Sequence, residues 1–121
     1  MKHYSEAIKR NPNDVRAYSN RAACYTKLGA LPEGLKDAEK CIELDPSFTK
    51  GYSRKGAIQF FMKEYDKAME TYQEGLKHDP KNQELLDGVR RFANFGILSL
   101  LFNLAKIGLV KVLLFSDVWN R

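Results

Sequence analysis

Three dipeptides constrain this chain more than any other feature: Asn11-Pro12, Asp45-Pro46 and Asp79-Pro80, whose prolines recur at a constant interval of 34. The residue before a proline is pushed out of the helical region, so each dipeptide stops the apolar-periodic stretch that precedes it. A fixed period of this length marks a stacked repeat rather than a single closed core. Within the two full units, 15–48 and 49–82, a second break falls near the middle, at Gly29-Ala30-Leu31-Pro32 and at Lys63-Glu64. Each unit therefore reads as helix, short turn, helix, and no convincing strand appears. The fold class is all-α: an α-solenoid of helical hairpins.

Superposing the units at a shift of 34 aligns their packing positions. Tyr18 falls on Tyr52, Ala22 on Gly56 and Leu31 on Tyr65. On the second helices Ile42 falls on Leu76 and the small residues Cys41 and Gly75 coincide. Tyr4, Ala7 and Ile8 likewise match Tyr72, Gly75 and Leu76. Small residues at fixed places let helix backbones approach, and the aromatics fill the spaces between pairs. One such pair cannot bury its own face, so stacking supplies the core.

Charge and composition narrow the function classes. The net charge is +5, yet cations alternate with acids, as in Lys36-Asp37-Ala38-Glu39-Lys40, which describes a solvated helix face rather than a nucleic-acid stripe. An anionic partner fits the charge; nucleic acid does not fit the pattern. His3 and His78 have no Ser, Cys or acid at triad or metal spacing, and both fall at surface-prone positions. Cys24 and Cys41 fall at packing positions, where buried, inert thiols are expected, and so few cysteines suit a reduced, cytoplasmic compartment. No phosphate-binding loop is present. Neither catalysis nor a cofactor is implied, and binding remains.

The polar cluster suited to binding lies on the first helices. Lys50 and Arg54 are four residues apart and share a helix face. Arg54 occupies the repeat place that Asn20 occupies one unit earlier, and stacked units set equivalent places side by side. Asn20, Lys50 and Arg54 are thus expected on one groove. An amide, an ammonium and a guanidinium together suit a carboxylate, held by charge-assisted hydrogen bonds.

The period, the small residues at the eighth and twentieth places of each unit and the proline at the thirty-second resemble the tetratricopeptide repeat over residues 1–82. Gly34 and Ala38 stand where the family has Ala and a large aromatic, and Gln59 where it has Tyr; these departures suggest a looser second unit. The stretches Tyr18-Ser19-Asn20-Arg21-Ala22-Ala23 and Lys50-Gly51-Tyr52-Ser53-Arg54-Lys55 resemble the carboxylate-clamp subgroup found in heat-shock co-chaperones. That resemblance implies binding of the Glu-Glu-Val-Asp C-terminal tails of heat-shock proteins 70 and 90. It assigns Asn20 as the amide of the middle unit and Lys50 and Arg54 as the cationic pair of the last. The clamp's other Lys and Asn belong to a first helix that would precede Met1. By the same register, 1–14 is the second helix of a first repeat and 83–91 is a capping helix, with Gln83, Leu85, Leu86 and Val89 on its apolar side.

After Arg91 the sequence changes character. Phe, Leu, Ile, Met and Val make up 18 of the first 91 residues but 16 of the last 30, and no acid occurs in 92–115. Three readings of this hydrophobic tail stand. A membrane span would need about 20 apolar residues, and the best window, 97–115, has 19 residues in all, among them Asn103, Lys106, Gly108 and Lys111. That span would anchor a membrane-associated scaffold. An interfacial or partner-packing helix is the second. The third is that a reading frame has run into T-rich non-coding sequence, since these five residue types share a middle uracil in their codons; it is preferred over the anchor.

Overall fold

The computed structural model describes residues 1–91 and residue 94. The tail, with all three of its readings, lies outside the described residues apart from that one position. Met1–Val89 form one compact unit. Its helices are α1 (Lys2–Arg10), α2 (Val15–Lys27), α3 (Leu31–Leu44), α4 (Thr49–Phe61) and α5 (Tyr65–His78). Residues 83–91 are helical as well. There is no strand among the described residues, and no described helix is long and apolar enough to cross a membrane.

The period governs the backbone itself. Moving α2 and α3 along the chain by one repeat, from 15–48 onto 49–82, gives the bounds of α4 and α5. One repeat beyond Thr49, the last helix begins at 83. The turns recur too. Asn11, Asp45 and Asp79 each end a helix in an extended conformation, at φ −141°, −147° and −146°, as a following proline requires. Each side chain then accepts a hydrogen bond from the backbone N–H two residues on, which closes an Asx-turn. The next helix starts at Asp14, whose carboxylate caps Ala17 N–H at 3.1 Å, and at Asn82, which caps Leu85 N–H at 3.1 Å. Phe48 holds the intervening place and offers no cap.

Between the helices of a pair, Gly29 sits at φ 78° and Lys63, its equivalent, at φ 64°. The left-handed conformation that glycine adopts freely is therefore imposed on a lysine in the second unit.

Two apolar clusters form the core. Tyr52, Ala68, Tyr72 and Leu85 are buried together, with Ile42, Phe60, Leu76 and Val89 against them. The Tyr72 ring packs where both Gly56 and Gly88 would carry a Cβ: Cε1 lies 2.4 Å from the first such position and 2.7 Å from the second. The other cluster joins Ala22 and Ala38 to Ile58 from the next unit, with Leu31, Leu35 and Met62 around it. Ile58 is fully buried, and its Cδ1 lies 3.1 Å from where Gly34 would carry a Cβ. The small residues at 34 and 38 thus make room for an isoleucine reaching across the repeat boundary, so the looseness expected there is filled. Gln59 is buried and accepts a 2.6 Å hydrogen bond from Thr71. On the last helix Leu85 is buried and Val89 packs on the core, while Gln83 is exposed and pairs with Asp87, departing from the expected apolar side.

Candidate functional site

The aim of α2 is fixed from its far side. Arg21 grips Asp37 of α3 with two hydrogen bonds, Nε to Oδ2 at 2.7 Å and Nη2 to Oδ1 at 2.8 Å, and its Nη1 donates to Ser5 of α1 at 3.3 Å. Asp37 is buried, and the rings of Tyr18 and Tyr25 lie 5.8 and 5.7 Å from the guanidinium carbon. The hydrogen bonds to Asp37 push the Arg21 pKa further up, against the effect of burial. A forked pair of this geometry resists rotation, so it sets which way the neighbouring Asn20 faces.

The rotation of α4 is fixed by close backbone approach and by one tyrosine. Gly51 lies against Cys41 Cβ and Ile42 Cγ1, both 3.0 Å from where its own Cβ would be. Tyr52 is buried; its hydroxyl donates to the Pro46 carbonyl at 2.8 Å and lies 3.3 Å from His78 Nε2, with the two rings stacked 5.5 Å apart. Lys50 and Arg54 flank this anchored tyrosine on the same helix. His78 is exposed, and its described contacts are with Tyr52.

Asn20 and Lys50, from successive units, line one cleft of about 290 Å³ together with Arg16, Ser19 and Phe48. Asn20 and Lys50 are exposed. Arg54 is not among the residues lining that cleft. It lies one turn along from Lys50, half-buried, and its Nε is buried with no hydrogen-bond partner among the described residues. The Ser19 hydroxyl is in the same state. A buried polar atom left unpaired costs free energy until something meets it, so one unsatisfied group belongs to the sequence-expected trio and the other, on Ser19, adjoins Asn20.

Arg16, Ser19 and Phe48 were not singled out from sequence. A signal existed for Arg16, which holds in the first full unit the repeat place that Lys50 holds in the second. Phe48 could have been noticed as the apolar residue at a place where Asp14 and Asn82 cap helices. The cysteines divide. Cys41 is fully buried, donates to the Val15 carbonyl at 3.3 Å and has its thiol pushed up to about 12, mainly by burial. Cys24 is only half-buried, because its side of α2 is less covered than expected. Among the described residues no group of three or more His, Cys, Asp and Glu is placed to hold a metal ion.

Known proteins sharing these features were found by sequence and by structure. Residues 15–48 and 49–82 each match the family model described as tetratricopeptide repeat. Hsp70-Hsp90 organizing protein 3 of Arabidopsis thaliana is 98% identical over 91 residues, which are 75% of this chain and 16% of that protein. The chain thus spans about one sixth of the length of this relative. The TPR2B domain of yeast Sti1, solved in its complex with pHsp70, is 38% identical with a TM-score of 0.71, covering 77% of this chain and 79% of that one. The yeast Sti1 TPR2AB domain, in complex with pHSP90, is 41% identical with a TM-score of 0.66, covering 77% and 36%. With two full units matched and the repeat written into the bounds of α2 to α5, the chain belongs to the tetratricopeptide repeat family.

Proposed function

We propose that this chain is an adaptor that binds the acidic Glu-Glu-Val-Asp C-termini of heat-shock proteins 70 and 90, acting by binding alone in the cytoplasm. Asn20, Lys50 and Arg54 hold the terminal carboxylates. α1 is the second helix of a further repeat, and 83–91 is the helix that closes the array. The observation that carries the reading is the meeting of Asn20 and Lys50, from different units, on one cleft beside a buried Arg54 Nε–H that has no acceptor among the described residues. A carboxylate supplies the acceptor that this N–H lacks and neutralises the exposed ammonium. The likeness to organizing proteins and to domains solved with pHsp70 and pHSP90 supports the same ligand class.

The test is titration of a Met-Glu-Glu-Val-Asp peptide into the full chain and into Lys50→Ala/Arg54→Ala. Charged hydrogen bonds contribute about 1.5–3 kcal/mol each, so the variant should bind at least ~10-fold more weakly. Equal binding by a variant with unchanged helical circular dichroism would contradict the reading.

A further inference from the structure

The outer sides of α3 and α5 carry opposite charge patterns. At every repeat place where both helices hold a charged residue, the sign reverses: Glu33 falls on Lys67, Lys36 on Glu70, Lys40 on Glu74 and Glu43 on Lys77. Along the chain α3 therefore reads acid, base, base, acid, and α5 reads base, acid, acid, base. The four places are three, four and three residues apart, which makes one stripe along a helix. Each stripe points away from the core, because the buried residues of α3 (Gly34, Asp37, Ala38 and Cys41) and of α5 (Ala68, Thr71, Tyr72 and Gly75) occupy the opposite side. Lys40 is half-buried, and the other stripe residues are exposed.

This complementarity forms no link within the chain. The described ion pairs of the stripes run to near neighbours in sequence, Lys40 to Glu43 at 3.4 Å and Lys67 to Glu64 at 3.3 Å. No ion pair joins α3 to α5 among the described residues, and α4 packs on both. The stripes also differ in relief. Lys67, Glu70 and Glu74 edge a hollow of about 310 Å³, to which α4 contributes Lys55 and the buried Gln59. In the first unit the places of Lys55 and Thr71 belong to Arg21 and Asp37, joined by their forked pair. Thr71 bonds instead to Gln59 and the Lys67 carbonyl, and no ion pair of Lys55 is found among the described residues.

We propose that the outer sides of α3 and α5 form the interface of a dimer of this chain. A two-fold axis running along the helices, midway between α3 and α5, lays α3 of each copy on α5 of the other. Equal repeat places then face each other, so all four pairs are of opposite sign and each occurs twice. An axis across the helices would instead set α3 against α3 in reverse order, acid on acid and base on base. A second copy is the fitting partner because every copy carries both patterns. Lys36 and Lys40 are long enough to enter the hollow beside the partner's Glu70 and Glu74. Exposed pairs are individually weak and are screened by salt, so the dimer needs several of them together and dissociates as salt rises. No stripe residue lines the cleft that holds Asn20 and Lys50, so both clefts stay open and the dimer does not depend on the function proposed above.

The test is sedimentation equilibrium of the full chain as wild type, Lys36→Glu/Lys40→Glu, Glu70→Lys/Glu74→Lys, and an equimolar mixture of the two variants. Wild type should be dimeric at about 20 mM salt and monomeric at about 500 mM, a halving of the mass. Each variant alone should be monomeric at the lower salt, since like charges then meet at the centre of the interface. The mixture should recover the dimer, because the acidic α3 of one variant faces the basic α5 of the other; recovery also shows that both variants are folded. Monomeric wild type at low salt, association equally strong at both salts, a dimer of either variant alone, or a mixture no heavier than its parts overturns the proposal.

Discussion

Replacing Gly56 by Ala tests how the second unit is packed. A Cβ at Gly56 would lie 2.4 Å from Tyr72 Cε1 and 2.7 Å from both Cδ1 and Cζ, so the nearest contact falls far inside the 3.4 Å where ordinary contact begins. The ring has little room to swing, because Tyr72 is buried and the same ring edge lies 2.6–2.9 Å from where Gly88 would carry a Cβ. Overpacking of this kind costs about 2 kcal/mol. The helix gains roughly 1 kcal/mol from Gly to Ala, which leaves a net loss of about 1 kcal/mol. For a domain of this size that lowers Tm by about 4–8 °C. The equivalent pair in the preceding unit, Ala22 with Ala38, shows that alanine fits this place when the facing ring is absent. In a Tyr72→Leu background the sign should therefore reverse, with Gly56→Ala stabilising by up to ~1 kcal/mol and a coupling of about 2 kcal/mol between the sites. Thermal unfolding of the four proteins by circular dichroism reads this directly. The same shift in both backgrounds, or a higher Tm for Gly56→Ala alone, would refute the packing argument.

Two further outcomes follow from the backbone and from burial. Lys63 adopts φ 64° where its equivalent is Gly29, so Lys63→Gly should raise stability by about 0.5–1 kcal/mol; an unchanged or lower denaturant midpoint at constant m would contradict the strain. The Cys41 thiol is pushed from 9.0 up to about 12 in the folded chain. Its contribution is full below the unfolded value and is lost as pH climbs towards the folded one, since the unfolded chain then releases the proton first. Cys41→Ala should flatten the fall in stability above about pH 9, measured by urea unfolding across that range; an identical slope would rule the thiol out as a source.

The fold was legible because it is written in punctuation. Pro12, Pro46 and Pro80 are evenly spaced, and the helix bounds recur at the same interval because local stop signals decide them. Side-chain placement was less legible where it depends on what another unit contributes. Gly34 and Ala38 suggested looseness because the residue that fills their space, Ile58, lies in the next repeat. The Arg21–Asp37 pair joins positions sixteen residues apart, and nothing local to either distinguishes it from a solvated charge. Asn20 and Lys50 could be placed together because both the helix period and the repeat period point at them. Phe48 was harder to assign to the cleft, because its repeat equivalents, Asp14 and Asn82, are helix caps and share no side-chain chemistry with it.

The central claim is that the cleft reads a free C-terminal carboxylate beside acidic side chains. Its most direct test is the affinity of the full chain for Met-Glu-Glu-Val-Asp measured against the same peptide with its C-terminus amidated. Amidation removes one charge and one acceptor, so the account predicts a loss of at least ~10-fold, with the Arg54 Nε–H resonance shifting only on addition of the free acid. Equal affinity for both peptides, or an Arg54 signal indifferent to either, would contradict it.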